Sequence, residues 1–171
     1  MTYRLEDEDD IVASGIRLWH DELPQLDTSG KQITGRIIRL ADMILNRMND
    51  VTHDFGLKYA TYAILATLRA SGAPFEMTPK VLQSTLFVTS GGLSNQLTRL
   101  EQNGLISRMD DPSDGRGVRV RLTEKGCALA DRIMPVQSAA EVEFIRMLTP
   151  EEHAILAKLL SRILLLNAAR R

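Results

Sequence analysis

Cysteine is almost missing from this chain: Cys127 is the only one among 171 residues. A lone thiol excludes an internal disulfide framework and fits a reducing compartment. One turn into a helix, between Gly126 and Ala128, it reads as a small packed residue and not as a redox switch. Aromatic residues are also scarce, at 5%, with Trp19 the one tryptophan. No apolar run approaches the roughly 18 residues that a membrane helix needs. The acidic opening from Met1 to Asp10 has no secretory-signal character, so the expectation is a cytoplasmic protein with no membrane partner. His20, His53 and His153 are scattered, with no Cys or His at ligand spacing, which leaves no metal site. Hydrolase elbows, HExxH, strand-borne glycine loops and tuned carboxylate pairs are missing too; neither an enzyme nor a cofactor is expected.

What is present is a hydrophobic fraction of 44%, enough for one modest domain, or for a compact lobe plus helices that need a partner. The net charge of −1 does not advertise nucleic-acid binding; the distribution says more. Acids crowd Glu6 to Asp10, with Asp21, Glu22 and Asp27 following. Arg108, Arg116, Arg119, Arg121 and Lys125 gather further on, interrupted by Asp110, Asp111 and Asp114, which predicts a local basic ridge.

The stretch from Thr78 to Leu122 organises the rest. Thr78-Pro79 suits a helix start, since Thr caps free N–H groups and Pro at the first position forfeits no bond. Val81, Leu82, Leu86 and Phe87 are its expected inward face. Thr89-Ser90 opens a second helix, with Leu93, Leu97 and Leu100 at helical spacing and Gly104 as its stop. Ser94, Asn95, Gln96, Thr98 and Arg99 project elsewhere: short hydrogen-bonding side chains and one cation, the chemistry of a helix in a DNA major groove. Leu105–Met109 and Val118–Leu122 alternate like strands around the turn-rich Asp110–Gly117, which carries Arg116. Helix, turn, helix and hairpin make a winged helix, and duplex DNA is the expected partner. Ser90 and Thr78 are placed to meet phosphates through backbone N–H groups. Arg116, at the hairpin tip, suits a narrow minor groove, and Arg119 joins the contact set.

Around this core the periodicity predicts helices over Leu5–Glu22, Lys31–Phe55, Leu57–Ala70, Thr123 to about Leu148, and onward from Thr149. Thr149-Pro150-Glu151-Glu152 forms a capping box. The last helix, carrying Ile155, Leu156, Leu159, Leu160 and Ile163 to Leu166, is apolar nearly all round, so a second subunit is its natural cover. The fold class is mainly α with a small β-hairpin wing: residues 57–123 form the winged helix-turn-helix, and 1–56 with 124–171 form a helical dimerisation region. A two-fold dimer would bind a palindromic operator. A winged helix used for protein docking, without DNA or ligand control, is the alternative.

The run Val88–Gly126, VTSGGLSNQLTRLEQNGLISRMDDPSDGRGVRVRLTEKG, resembles the recognition helix and wing of the MarR family of bacterial transcription regulators. The pieces that match are R-L-E-x-x-G-L-I at Arg99–Ile106, D-x-R at Asp114–Arg116 and L-T-x-x-G at Leu122–Gly126. The resemblance implies that Asp114 braces Arg116, that the chain is a homodimer, and that it is a repressor released by a small aromatic acid or phenolic effector. Trp19 on an N-terminal helix, with the Glu22–Asp27 and Gly35–Leu40 runs, is similar to the urate-responsive branch. That branch implies Trp19 and Arg108 as ligand anchors. Ala63 falls where its aspartate belongs and Gln96 where its first arginine belongs, so urate itself would lack partners. Tyr62 and His53 complete the candidate crevice.

Overall fold

The computed structural model describes residues 10–86, 90–111 and 114–168. Seven helices and three short strands follow one another along these segments. The chain divides into two compact units, Met1–Arg47 and Met48–Arg171.

In the first unit, α1 (Ile11–Glu22) is capped by Asp10, whose carboxylate accepts from the N–H groups of Val12 at 2.8 Å and Ala13 at 3.0 Å. The Ala13 bond, against desolvation and with help from Arg36 and Val12, holds that carboxyl below its ordinary value. The capping carboxylate also accepts from Arg36 Nε at 2.9 Å, tying α1 to α2 (Ser29–His53). Gly35 permits the close approach of the two helices: a Cβ there would lie 2.8 Å from Val12 Cγ1. The expected start of α1 at Leu5 lies outside the described residues.

The second unit holds the core. It runs α3 (Tyr59–Ala70), β1 (Glu76–Met77), α4 (Pro79–Leu86), α5 (Ser90–Gln102), β2 (Ile106–Asp111), β3 (Asp114–Leu122), α6 (Glu124–Phe144) and α7 (Pro150–Ala168). The sheet is antiparallel in the order β1-β3-β2. Leu68 of α3, Leu82 of α4, Leu100 of α5 and Val120 of β3 are completely buried in one cluster. This is the winged helix, and the architecture is mainly α with a small sheet.

Residue-level reasons are visible at the starts of α4, α6 and α7. Thr78 caps α4, its hydroxyl accepting from Val81 N–H at 3.3 Å. The capping box of α7 forms, with Glu152 accepting from Thr149 N–H at 2.8 Å. Thr123 caps α6 through Gly126 N–H at 3.0 Å, and its hydroxyl donates to the Gly104 carbonyl at 2.7 Å. That pair seats the first turn of α6 on the turn that ends α5.

Three details depart from the pattern-based expectation. β1 was not anticipated, because two residues carry no periodicity and become a strand only by pairing with β3. Val81, expected inward, is 45% exposed, whereas Leu82 is buried and Leu86 packs half-buried against the core; Phe87 lies outside the described residues. α6 stops at Phe144, short of Leu148, although it runs through Pro135. No residue of α7 is buried, and its apolar side chains from Ile155 to Leu166 are between 38% and 71% exposed. No helix among the described residues is long and apolar enough to cross a membrane.

Candidate nucleic-acid interface

α5 has one sealed face and one open one. Leu93, Leu97 and Leu100 are at most 3% exposed, and their four- and three-residue steps put them on a single stripe. Ser94, Asn95, Thr98 and Arg99 are exposed on the rest of the helix. Among the described residues, no hydrogen bond or ion pair engages the side chains of Ser94, Asn95 or Arg99. Thr98 is more committed. Its hydroxyl donates to the Ser94 carbonyl at 3.1 Å and accepts from Arg108 Nη2 at 3.1 Å.

Gln96 behaves differently from its neighbours. It is half-buried, and its side-chain oxygen accepts from the Thr61 hydroxyl on α3 at 3.1 Å. Its position is thus tied to the supporting helix, while Asn95 points a free amide outward.

Thr78 stands at the start of α4. Ser90 opens α5, though its side chain, like Thr89, lies outside the described residues. β3 begins at Asp114, so the backbones of Asp114 and Arg116 belong to the hairpin; their side chains lie outside the described part. The register pairs Asp111 with Asp114 and contains an irregularity between Asp110 and Asp111, which marks the base of the wing tip.

The basic ridge is smaller than the charge pattern suggests. Arg119 Nε donates to Asp111 at 2.9 Å, and a second nitrogen reaches Glu76 at 3.4 Å. The bond to Asp111 raises the Arg119 pKa further above its ordinary value. Arg121 Nε donates to Glu76 at 2.8 Å. Arg108 pairs with Glu101 at 3.6 Å, and Lys125 donates to the Asn103 carbonyl at 2.8 Å. The pairings with Glu76 join residues 43 and 45 apart in sequence, so a linear reading of charge misses them.

The candidate ligand residues occupy distinct settings. Trp19 is on α1, 44% exposed, with Lys31 Nζ 4.0 Å from the ring centroid. His53 is the last residue of α2 and is exposed. Tyr62 is buried in α3, and burial, followed by the charge of Glu141, pushes its phenol pKa up. Ala63 follows it, half-buried and without a polar group. Arg108 lines a cleft of about 350 Å³ whose other walls include Pro79, Leu93, Ser94, Leu97 and Val118. Lys80 lines the cleft as well, so two cations stand beside an apolar floor, a combination suited to an organic anion. Among the described residues, no cluster of His, Cys, Asp or Glu could hold a metal ion.

Similarity to known proteins follows the same outline. A family model described as the MarR family matches residues 55–117, which run from before α3 into the start of β3. The regulator PecS of Dickeya dadantii is 31% identical over 152 residues, covering 89% of this chain and 92% of its own. The crystal structure of AbsC from Streptomyces coelicolor superposes with a TM-score of 0.73 at 27% identity, covering 81% of this chain and 94% of that one. A mutant of MarR from Escherichia coli, crystallised in complex with operator DNA, gives a TM-score of 0.70 at 28% identity, covering 86% of this chain and 98% of the other.

Proposed function

Given that the chain belongs to the MarR family of transcription regulators, a family of non-enzymatic proteins, we propose that it is a homodimeric repressor that reads a palindromic duplex operator and is released by a small aromatic acid or phenol. The observation that carries the DNA-binding part is α5: a helix sealed by leucines on one face and offering Ser94, Asn95, Thr98 and Arg99 on the other. Asn can pair bidentately with adenine, and Arg with guanine, each good pair giving about 1–3 kcal/mol of discrimination. Thr78 and Ser90 would meet phosphates through helix-start N–H groups. Gln96, held by Thr61, contributes by orienting α5 or through its free amide N–H.

Residues 57–123 are the DNA-reading part in this proposal, and 1–56 with 124–171 are the dimerisation part. The exposed apolar side chains of α7 support a second copy as their cover. Two-fold symmetry would set the recognition helices about 34 Å apart on successive major grooves.

We assign Arg116 to the minor groove, with Asp114 as the residue that the family resemblance implies would brace it. Arg116→Ala should weaken binding to a duplex selected from a random pool at least tenfold at fixed salt, with the dimer intact by sedimentation. Unchanged affinity would remove Arg116 from the site. Binding that ignores salt would favour the protein-docking alternative, because phosphate contacts release counterions.

For the effector, the Arg108 cleft is the best-supported seat. Its walls include Ser94 on the reading face of α5, so an occupant would compete with DNA. An aromatic carboxylate such as benzoate at 100 times its Kd should stabilise the fold by about 2.7 kcal/mol. The thermal shift should vanish in Arg108→Ala. A panel of aromatic carboxylates and phenols without any shift would leave DNA binding standing and remove the effector. The alternative is the set that the resemblance to the urate-responsive branch implies, Trp19 with Arg108, joined by His53, Tyr62 and Ala63; Trp19→Phe abolishing such a shift would favour it.

A further inference from the structure

β3 presents Arg119 and Arg121 two residues apart, on the same side of the strand. Glu76 of the neighbouring strand β1 lies opposite Arg121 in the register and accepts from both guanidiniums, at 3.4 Å from Arg119 and 2.8 Å from Arg121. Arg119 reaches in the other direction as well, donating Nε to Asp111 at 2.9 Å. These acids are withdrawn from water: the side chains are 6% exposed for Asp111 and 15% for Glu76. Asp111 ends β2, at the irregularity that leads into the wing tip. Glu76 stands three residues before Pro79, which begins α4. A single guanidinium therefore bridges the base of the wing and the strand that feeds the helix-turn-helix.

The charges of this cluster oppose a phosphate role. Two cations and two carboxylates cancel, and a phosphate approaching Arg119 would meet a guanidinium already paired with two carboxylates. Removing Arg119 would take a cation from Asp111 and leave Glu76 with Arg121, and Lys cannot replace a fork that spans two partners.

We propose that Arg119 is a positioning residue for DNA binding: through Asp111 and Glu76 it sets the wing against β1 and the start of α4, and it holds no phosphate itself. The inference rests on the DNA-binding reading above.

The test uses the full chain and a duplex selected from a random pool by the wild type. Affinities are measured across a salt series, well below each variant's melting midpoint. Asp111→Asn removes a negative charge beside the wing, so simple electrostatics would tighten binding; the positioning role requires at least a tenfold loss. Arg119→Lys keeps the charge and should lose as much. In both, the slope of log affinity against log salt should match the wild type. A lost phosphate contact would instead lower that slope by about 0.9.

Asp111→Asn binding as tightly as the wild type or more tightly, Arg119→Lys binding within threefold, or a reduced slope would each overturn the proposal. So would lower melting midpoints without any loss of affinity. If Asp111→Asn does not fold, Glu76→Gln carries the same expected tenfold loss and the same reversal. A wild-type chain that retains no duplex from the pool would defeat the DNA-binding reading itself. A salt-sensitive wild type with tolerant variants would defeat only the assignment of Arg119.

Discussion

Gly126→Ala is expected to unfold the winged domain or cost it about 4 kcal/mol or more, beyond the range of ordinary substitutions. A Cβ at this position would lie 2.0 Å from the Leu105 carbonyl oxygen and 3.0 Å from its carbon. The obstacle is backbone, so no side chain can swing aside. That carbonyl also accepts from Thr123 N–H at 3.1 Å, and Thr123 caps α6. Moving the carbonyl away would break the bond that seats α6 on the turn after α5. Urea unfolding checks the effect, with Gly91→Ala as the control, because a Cβ at Gly91 meets nothing within 4 Å. A Gly126→Ala chain within about 1 kcal/mol of wild type would mean that the close approach is not a feature of the folded protein.

Asn95→Glu should weaken binding to the selected duplex at least a hundredfold while leaving stability within about 0.5 kcal/mol, as for other exposed positions. Asn95 is exposed on α5 beside Ser94, so the fold makes no demand on its side chain. The substitution would remove an amide able to pair with adenine, worth about 1–3 kcal/mol, and would set a carboxylate against a phosphate-lined groove, where like charges cost several kcal/mol more. Fluorescence anisotropy at fixed salt gives the affinity, and a melting curve of the same sample gives the control. Affinity within threefold of wild type would take α5 out of the groove and with it the central assignment.

These two positions differ in how readable they are. The outward placement of Asn95 follows from the leucine spacing at 93, 97 and 100, because a helix has one period and its buried stripe fixes the opposite face. The capping box at Thr149–Glu152 and the presence of the hairpin were legible for the same reason, that their rules are local, although the strands run further into the expected turn, to Asp111 and from Asp114. The strict need for glycine at 126 was not, since its obstacle is a carbonyl twenty-one residues earlier in the chain. Likewise the pairing of Arg119 and Arg121 with Glu76 spans 43 and 45 residues, and neither charge pattern nor motif links them. Glu76 was invisible as a functional candidate because the strand that carries it has only two residues. Gln96 looked equivalent to Asn95 until α3 supplied Thr61 as its partner. What escaped the sequence is therefore long-range polar pairing, backbone proximity and the two-residue strand β1, whereas the helices and the hairpin were legible.

The bare leucines of α7 have a consequence for how such a chain lives in a cell. If a second copy covers them, as proposed above, a newly made chain is sticky until it meets another, so its survival depends on how abundant it is as well as on how well it folds. Mixed pairs between intact and damaged copies would then form freely, and one damaged gene product could silence its healthy sibling.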